Sequence, residues 1–118
     1  DAETLAAVWT HRRLFVVAEV DDQVRGYLSV MEGAMPDTGW VAEFAVERKV
    51  RRQGIGSALI SGAVDWARKV GLRRLLVEVQ SKNYPAIMFC QKHGLNFCGY
   101  NDQYFANQDI ALFFGMLL

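Results

Sequence analysis

The stretch from Val46 to Leu59, V-E-R-K-V-R-R-Q-G-I-G-S-A-L, constrains this chain more than any other. An apolar run ends at Val46, a basic turn with two glycines follows, and a helical pattern starts at Gly56. Strand, glycine turn and helix in that order leave several backbone N–H groups at a helix N-terminus. The positive end of the helix dipole there favours an anion, a phosphate above all. Arg51 and Arg52 add charge beside it, and Gly54 and Gly56 lack the Cβ atoms that would block a close backbone approach.

Two phosphate-binding patterns fail on these residues. No Gly-Lys-Ser/Thr follows a four-residue spacer, so the turn is not a nucleoside-triphosphate loop. Leu59 holds the place of the third glycine in the dinucleotide fingerprint.

At 118 residues the chain has the length of one domain, and 52% of it is apolar, so a packed core is expected rather than disorder. Thirteen basic residues balance thirteen acidic ones, which argues against a general binder of nucleic acid or membrane surfaces. No apolar run approaches the roughly 18 residues of a membrane span, and no signal peptide is visible. Cys90 and Cys98 are too few and too close for a disulfide framework or a zinc site, so reduced thiols and a cytoplasmic setting are expected. His11 and His93 carry no ligand spacing, and no metal is expected. The chain opens with Asp1 rather than Met, which suggests a trimmed N-terminus.

Residues 1–13 read ambiguously; Leu5, Val8 and Trp9 suit the stripe of a short helix, but the segment is short. Arg13–Val20 and Val24–Glu32 then read as a hairpin about Asp21-Asp22-Gln23, with Val24, Leu28 and Val30 on one face. Gly33–Gly39 is a loop and Trp40–Glu47 a third strand. From Gly56 to Val70, the residues Leu59, Ile60, Ala63, Val64, Ala67 and Val70 recur at helical steps, with Gly71 as the stop. Arg73–Gln80 is an apolar, buried strand. Asn83 caps a second helix with Pro85 in its first turn, and that helix runs to His93 and stops at Gly94. Leu95–Tyr100 is a strand, Asn101–Gln108 a polar loop with aromatics, and Asp109–Leu118 a closing strand. The order β-β-β-α-β-α-β-β predicts an α/β (mixed α+β) fold with one mixed, mostly antiparallel sheet and helices packed on it.

Arg51-x-x-Gly54-x-Gly56 resembles motif A of the GNAT N-acetyltransferase superfamily. Asn83-x-x-Ala86-x-x-Phe89-Cys90-x-Lys92-x-Gly94-Leu95 resembles its motif B, with one helix and one strand between the two as in that family. The resemblance extends over about residues 13–118, and the tail is somewhat similar to streptothricin-type acetyltransferases. It implies acetyl-coenzyme A as co-substrate, with an amine as the other partner. It also implies a sheet splayed open between the strands ending near Val46 and Gln80, with the pantetheine arm in the gap. Backbone groups of Phe44, Ala45 and Val46 then pair with that arm like an added strand. Arg51, Arg52, Gln53, Gly54, Gly56 and Ser57 hold the pyrophosphate. Asn83 and Phe89 meet the arm, and Lys92 approaches the 3′-phosphate. Asn83 is also a helix cap, Phe89 a core residue and Lys92 a good helix C-terminus, whatever the function.

The chain departs from the family in two ways. A strand and two helices usually precede the hairpin and wall the acceptor pocket, and about a dozen residues stand in their place. A domain truncated at its N-terminus is therefore expected, with a disordered part or another chain as the alternatives. Cys90 stands where many members carry the tyrosine that protonates the departing thiolate, with a thiol pKa of about 8.5 against about 10 for tyrosine. A small buried residue is the other reading of Cys90, and Tyr84, Tyr100, Tyr104 or a water are other donors.

The family's chemistry implies direct attack of a primary amine in a ternary complex. Glu43, on the strand before motif A, is the candidate general base. Its ordinary pKa near about 4.3 then calls for water or a raised value. Asp102 and Asp109, with Tyr100, Tyr104 and Phe105, suit a cationic acceptor, and solvated turns explain the aspartates equally. The expected activity is acetyl transfer to a small-molecule amine. The alternatives are a ribosomal-protein-type N-terminal acetyltransferase and a non-catalytic acyl-coenzyme A module. A homodimer is expected if the final strand leaves an apolar edge.

Overall fold

The structure, a computed structural model, describes residues 4–10, 13–33, 35–48, 54–102 and 109–118. Seven strands form one sheet: β1 (Thr4–Thr10), β2 (Arg13–Val20), β3 (Gln23–Glu32), β4 (Thr38–Val46), β5 (Arg74–Gln80), β6 (Asn96–Asn101) and β7 (Ala111–Leu117). Helix α1 (Ile55–Lys69) connects β4 to β5, and α2 (Tyr84–Lys92) connects β5 to β6. The sheet order is β1-β2-β3-β4-β5-β7-β6, antiparallel throughout except for the parallel pair β4–β5.

Two sequence expectations change at the N-terminus. Thr4–Thr10 is a strand, paired residue for residue with β2 from Thr4↔Glu19 to Thr10↔Arg13. The helical stripe of Leu5, Val8 and Trp9 is not used: Trp9 packs on Trp66 of α1 at 4.7 Å between ring centroids, while Val8 stays 63% exposed. A strand therefore does precede the hairpin, against the expectation that it is missing; among the described residues no helix stands before β2.

The β2–β3 hairpin turns on Asp21 and Asp22, both at positive φ (53° and 62°), the backbone that matches the twist of a two-residue connection. A bulge shifts the register from Ala18↔Gly26 to Glu19↔Val24, leaving Arg25 as the extra residue. Val24 beyond it is 57% exposed and does not join Leu28 and Val30 in the core. Alternation fails there because a bulge re-aims the chain.

The apolar stripe of α1 buries Leu59, Ile60, Ala63 and Ala67 against the sheet, and Ile55 with them. Each fully buried side chain of leucine or isoleucine size contributes roughly 1.5–3 kcal/mol. Val70 is the C-cap, past the packed face, and is exposed. Both helices end in the same turn. Leu72 N–H donates to Ala67 C=O at 2.9 Å after α1, and Leu95 N–H donates to Cys90 C=O at 2.9 Å after α2. Each turn brings a buried leucine in beneath the helix end. Residues of both helices, Cys90 among them, belong to one core cluster with the sheet residues Leu14, Val16, Leu28, Val41, Leu75, Val77 and Phe114.

The final strand is not an edge. β7 is paired with β5 on one side and β6 on the other, and the edges are β1 and β6. The argument for self-association through the last strand therefore falls, because β6 reaches the edge by pairing outside it.

Candidate active site

The parallel ladder between β4 and β5 runs only from Thr38↔Arg74 to Val41↔Val77. Past that point β4 continues to Val46 on β3, and β5 continues to Gln80 on β7. The sheet opens between them. The cause is local: the β3–β4 register jumps from Val30↔Val41 to Ser29↔Glu43, so Ala42 is a bulge at the residue where the β5 ladder stops. A bulge bends its strand and raises its twist, which carries the rest of β4 away from β5.

Backbone direction inside the gap follows from one hydrogen bond. Glu47 N–H donates to Arg25 C=O on β3 at 2.7 Å. Successive residues of a strand turn their N–H and C=O groups to opposite sides, so Ala45 also faces β3, opposite Tyr27. Phe44, one residue before Ala45 and opposite Leu28, therefore directs its N–H and C=O away from β3 and into the gap. Of the three residues expected to meet an extended ligand, Ala45 is committed to the sheet.

Gly54 is the N-cap of α1 at φ 80°, in the left-handed region where a side chain costs roughly 1–2 kcal/mol. The first N–H with an intrahelical partner is that of Ala58, which donates to Gly54 C=O at 2.9 Å. The N–H groups of Ile55, Gly56 and Ser57 are left pointing along the axis from the helix end, as at any helix N-terminus. Gly56 has a second reason to be glycine. A Cβ there would lie 3.2 Å from Phe89 Cε1 and 3.6 Å from Phe44 Cζ, so helix, strand and α2 meet closely enough that a side chain would have to displace the Phe89 ring slightly. Arg51, Arg52 and Gln53 lie outside the described residues.

From the other side of the gap, α2 brings Asn83, Phe89 and Lys92. Asn83 Oδ1 accepts from Ala86 N–H at 3.3 Å and so caps the helix. Phe89 is half-buried and meets Phe44 edge-on, with ring centroids 5.4 Å apart and planes at 71°. Lys92 is exposed in the last turn. Next to it His93, the C-cap, packs on Phe89 at 4.4 Å, and its Nε2 lies 3.0 Å from Ser57 Oγ. Burial and then the Lys92 charge lower the His93 pKa. The sequence reading passed over His93, since the contact joins positions 36 residues apart on two helices.

Cys90 does not reach the gap. It is 2% exposed within the core cluster, and burial pushes its thiol up to about 11. Its position on α2 faces the sheet, which corrects the expectation that it stands beside the departing thiolate. Glu43 is exposed and, one residue from Phe44, points to the sheet face opposite the helices. Its cross-strand partner Ser29 is fully buried, with an Oγ that finds no partner among the described residues. That serine carried no signal in the sequence, where it sits between Leu28 and Val30 in an ordinary strand pattern. Tyr104 lies outside the described residues, Asp102 is exposed, and Asp109 lies 3.8 Å from Lys82 Nζ.

Comparison with known proteins agrees with this geometry. The profile of the family described as "Acetyltransferase (GNAT) family" matches residues 2–95. The streptothricin acetyltransferase of Streptomyces lavendulae is 33% identical over 87 residues, covering 74% of this chain and 46% of that protein. The chain spans about half the length of the curated relatives it matches. Among solved structures, a Bacillus anthracis protein in complex with acetyl coenzyme A superposes with a TM-score of 0.86 at 20% identity, covering 92% of this chain and 64% of that one. The ribosomal-protein-S18-alanine N-acetyltransferase of Escherichia coli superposes with a TM-score of 0.80 at 21% identity, covering 92% and 71%. Glycine turn, opened sheet and matching profile lead to one conclusion: the chain belongs to the acetyltransferase (GNAT) family.

Proposed function

We propose that the chain is the acetyl-coenzyme A-dependent part of an N-acetyltransferase acting on a primary amine of a small molecule. One observation carries this reading: the gap between β4 and β5 opens beside the glycine-capped N-terminus of α1. An extended amide-bearing arm suits a strand edge, and a pyrophosphate suits the first turn of a helix. The residues fit such a donor. Phe44 and Val46 border the arm, with Phe89 and Asn83 across from them. Gly54, Gly56 and Ser57, with Arg51, Arg52 and Gln53, hold the phosphates, and Lys92 adds charge at the same end.

Acetyl-coenzyme A, when bound, supplies the activated acetyl group. Glu43 takes the proton of the incoming amine, through water, from the sheet face opposite the helices. The Phe44 N–H, directed into the gap, donates to a carbonyl oxygen as it gathers charge. The nitrogen–carbon bond forms as the carbon–sulfur bond breaks in one ternary complex. The departing sulfur takes its proton from water or Tyr104, since Cys90 is sealed in the core. Free thiols at Cys90 and Cys98 support the cytoplasmic setting expected from the sequence.

Calorimetric titration with acetyl-coenzyme A, on the native chain and on Ser57→Glu, tests the site. A glutamate at the third helical position suits the helix dipole, so it leaves the fold intact while repelling the pyrophosphate. A Gly56 variant would instead strike Phe89. Binding lost in Ser57→Glu is the expected result, followed by release of free thiol with small amines but not with peptide N-termini. Binding without turnover on any amine identifies a non-catalytic module, and no binding by the native chain overturns the reading.

A further inference from the structure

Ser57 and His93 stand on the two helices that meet at the mouth of the gap, and their polar atoms are 3.0 Å apart. Neither side chain is free to wander. Ser57 is the third residue of α1, and helical side chains tilt toward the N-terminus, the direction in which the first-turn N–H groups also point. His93 is held by the turn that ends α2: Gly94 takes a positive φ of 79°, and His93 N–H donates to the C=O of Phe89 and Cys90 at 3.1 and 3.2 Å. Its ring rests on Phe89, which in turn rests on Phe44. The imidazole edge is thereby aimed at Ser57.

A hydroxyl has one proton to give. When Ser57 gives it to an unprotonated Nε2, only lone pairs remain for a ligand, and these repel an anion. When Nε2 carries the proton, His93 donates to Ser57 Oγ, and the Ser57 O–H is turned outward as a donor. An anion at the helix terminus therefore selects the second arrangement, and the histidine keeps the hydroxyl in it.

We propose that His93 is a positioning residue for the acyl donor, donating through Nε2–H to Ser57 so that the Ser57 hydroxyl donates to a pyrophosphate oxygen. The inference rests on the cofactor reading above. It adds a residue outside the glycine turn to the phosphate site, and ties that site to the end of α2.

The test is a double-mutant cycle read by NMR-monitored titration, which also registers weak ligands. The ligands are coenzyme A and pantetheine, which lacks every phosphate. The variants are Ser57→Ala, His93→Phe, His93→Gln and the Ser57→Ala/His93→Phe double. Ser57→Ala and His93→Phe should each weaken coenzyme A by about 5- to 10-fold, and the double no more than Ser57→Ala alone, because His93 acts through Ser57. His93→Gln, which keeps an amide N–H near the Nε2 position, should recover most of the loss. Pantetheine should bind all five proteins alike.

Losses that multiply in the double variant would overturn the proposal, as would unchanged coenzyme A affinity in His93→Phe. An equal loss for pantetheine would show a merely structural role and overturn it too. Failure of the native chain to bind either ligand removes the cofactor reading itself, a result distinguishable from all of these.

Discussion

Phe44 of β4 and Phe89 of α2 meet edge to face, 5.4 Å between centroids, across the mouth of the opened sheet. The pair spans the one place where β4 and β5 no longer hold each other, and Gly56 is the backbone that closes over it. Phe89→Ala removes a half-buried ring and its contact with Phe44, so it should cost about 2–3 kcal/mol, below the roughly 3–5 kcal/mol of a fully buried phenylalanine truncation. Urea denaturation measures this. Phe89→Leu, which fills most of the space, should lose less than half as much.

Gly54 governs the entry to α1. Its φ of 80° is costly for any other residue, so Gly54→Ala should destabilise the chain by about 1–2 kcal/mol. Coenzyme A affinity should fall with it, because the first-turn N–H groups take their direction from this residue. Unchanged stability in the denaturation curve would mean that the turn relaxes into another conformation.

Arg25, the bulged residue of β3, reaches both carboxylate oxygens of Glu47 at 2.9 and 2.7 Å. The same two residues share a backbone bond, so the end of β4 is pinned just before the basic turn. The pair is partly exposed, and its net worth is therefore modest. Glu47→Gln should cost about 1 kcal/mol at low salt, by urea denaturation, and the difference from the native chain should shrink in 1 M salt as the charges are screened.

Cys90 and Cys98 should separate in a thiol-labelling experiment at pH 8. Cys98 is exposed and should react promptly, while Cys90 should react only as fast as the chain opens. Folding raises the Cys90 pKa from 9.0 to about 11, so the folded state holds the proton more tightly than the unfolded one. The stabilisation is complete below pH 9 and is lost as pH climbs toward 11. Cys90→Ala should flatten that part of the stability profile. It should also retain turnover, since the thiol is no donor to the site.

Much of the fold is legible in local pattern. The three- and four-residue recurrence from Leu59 to Ala67, the basic last turn and Gly71 mark α1 to within about a residue, because helix period and capping are properties of neighbouring residues. Asn83 with Pro85 does the same for α2. The glycines ahead of α1 are legible for the same reason: the apolar run, the two glycines and the helical pattern follow one another along the chain.

Sequence alone thus determined the elements from β2 onward, their order and the glycine-lined turn, since each depends on residues a few positions apart. Only the tertiary structure decided what lies across the chain. It made Thr4–Thr10 a strand, because β2 offers it an edge. It put the closing strand inside the sheet, turned Cys90 into the core, and set His93 against Ser57. The bulge at Ala42 belongs with these, since a register shift exists only between two strands. Periodicity records which face of an element is apolar, but the partner that covers that face is chosen by packing among segments distant in sequence.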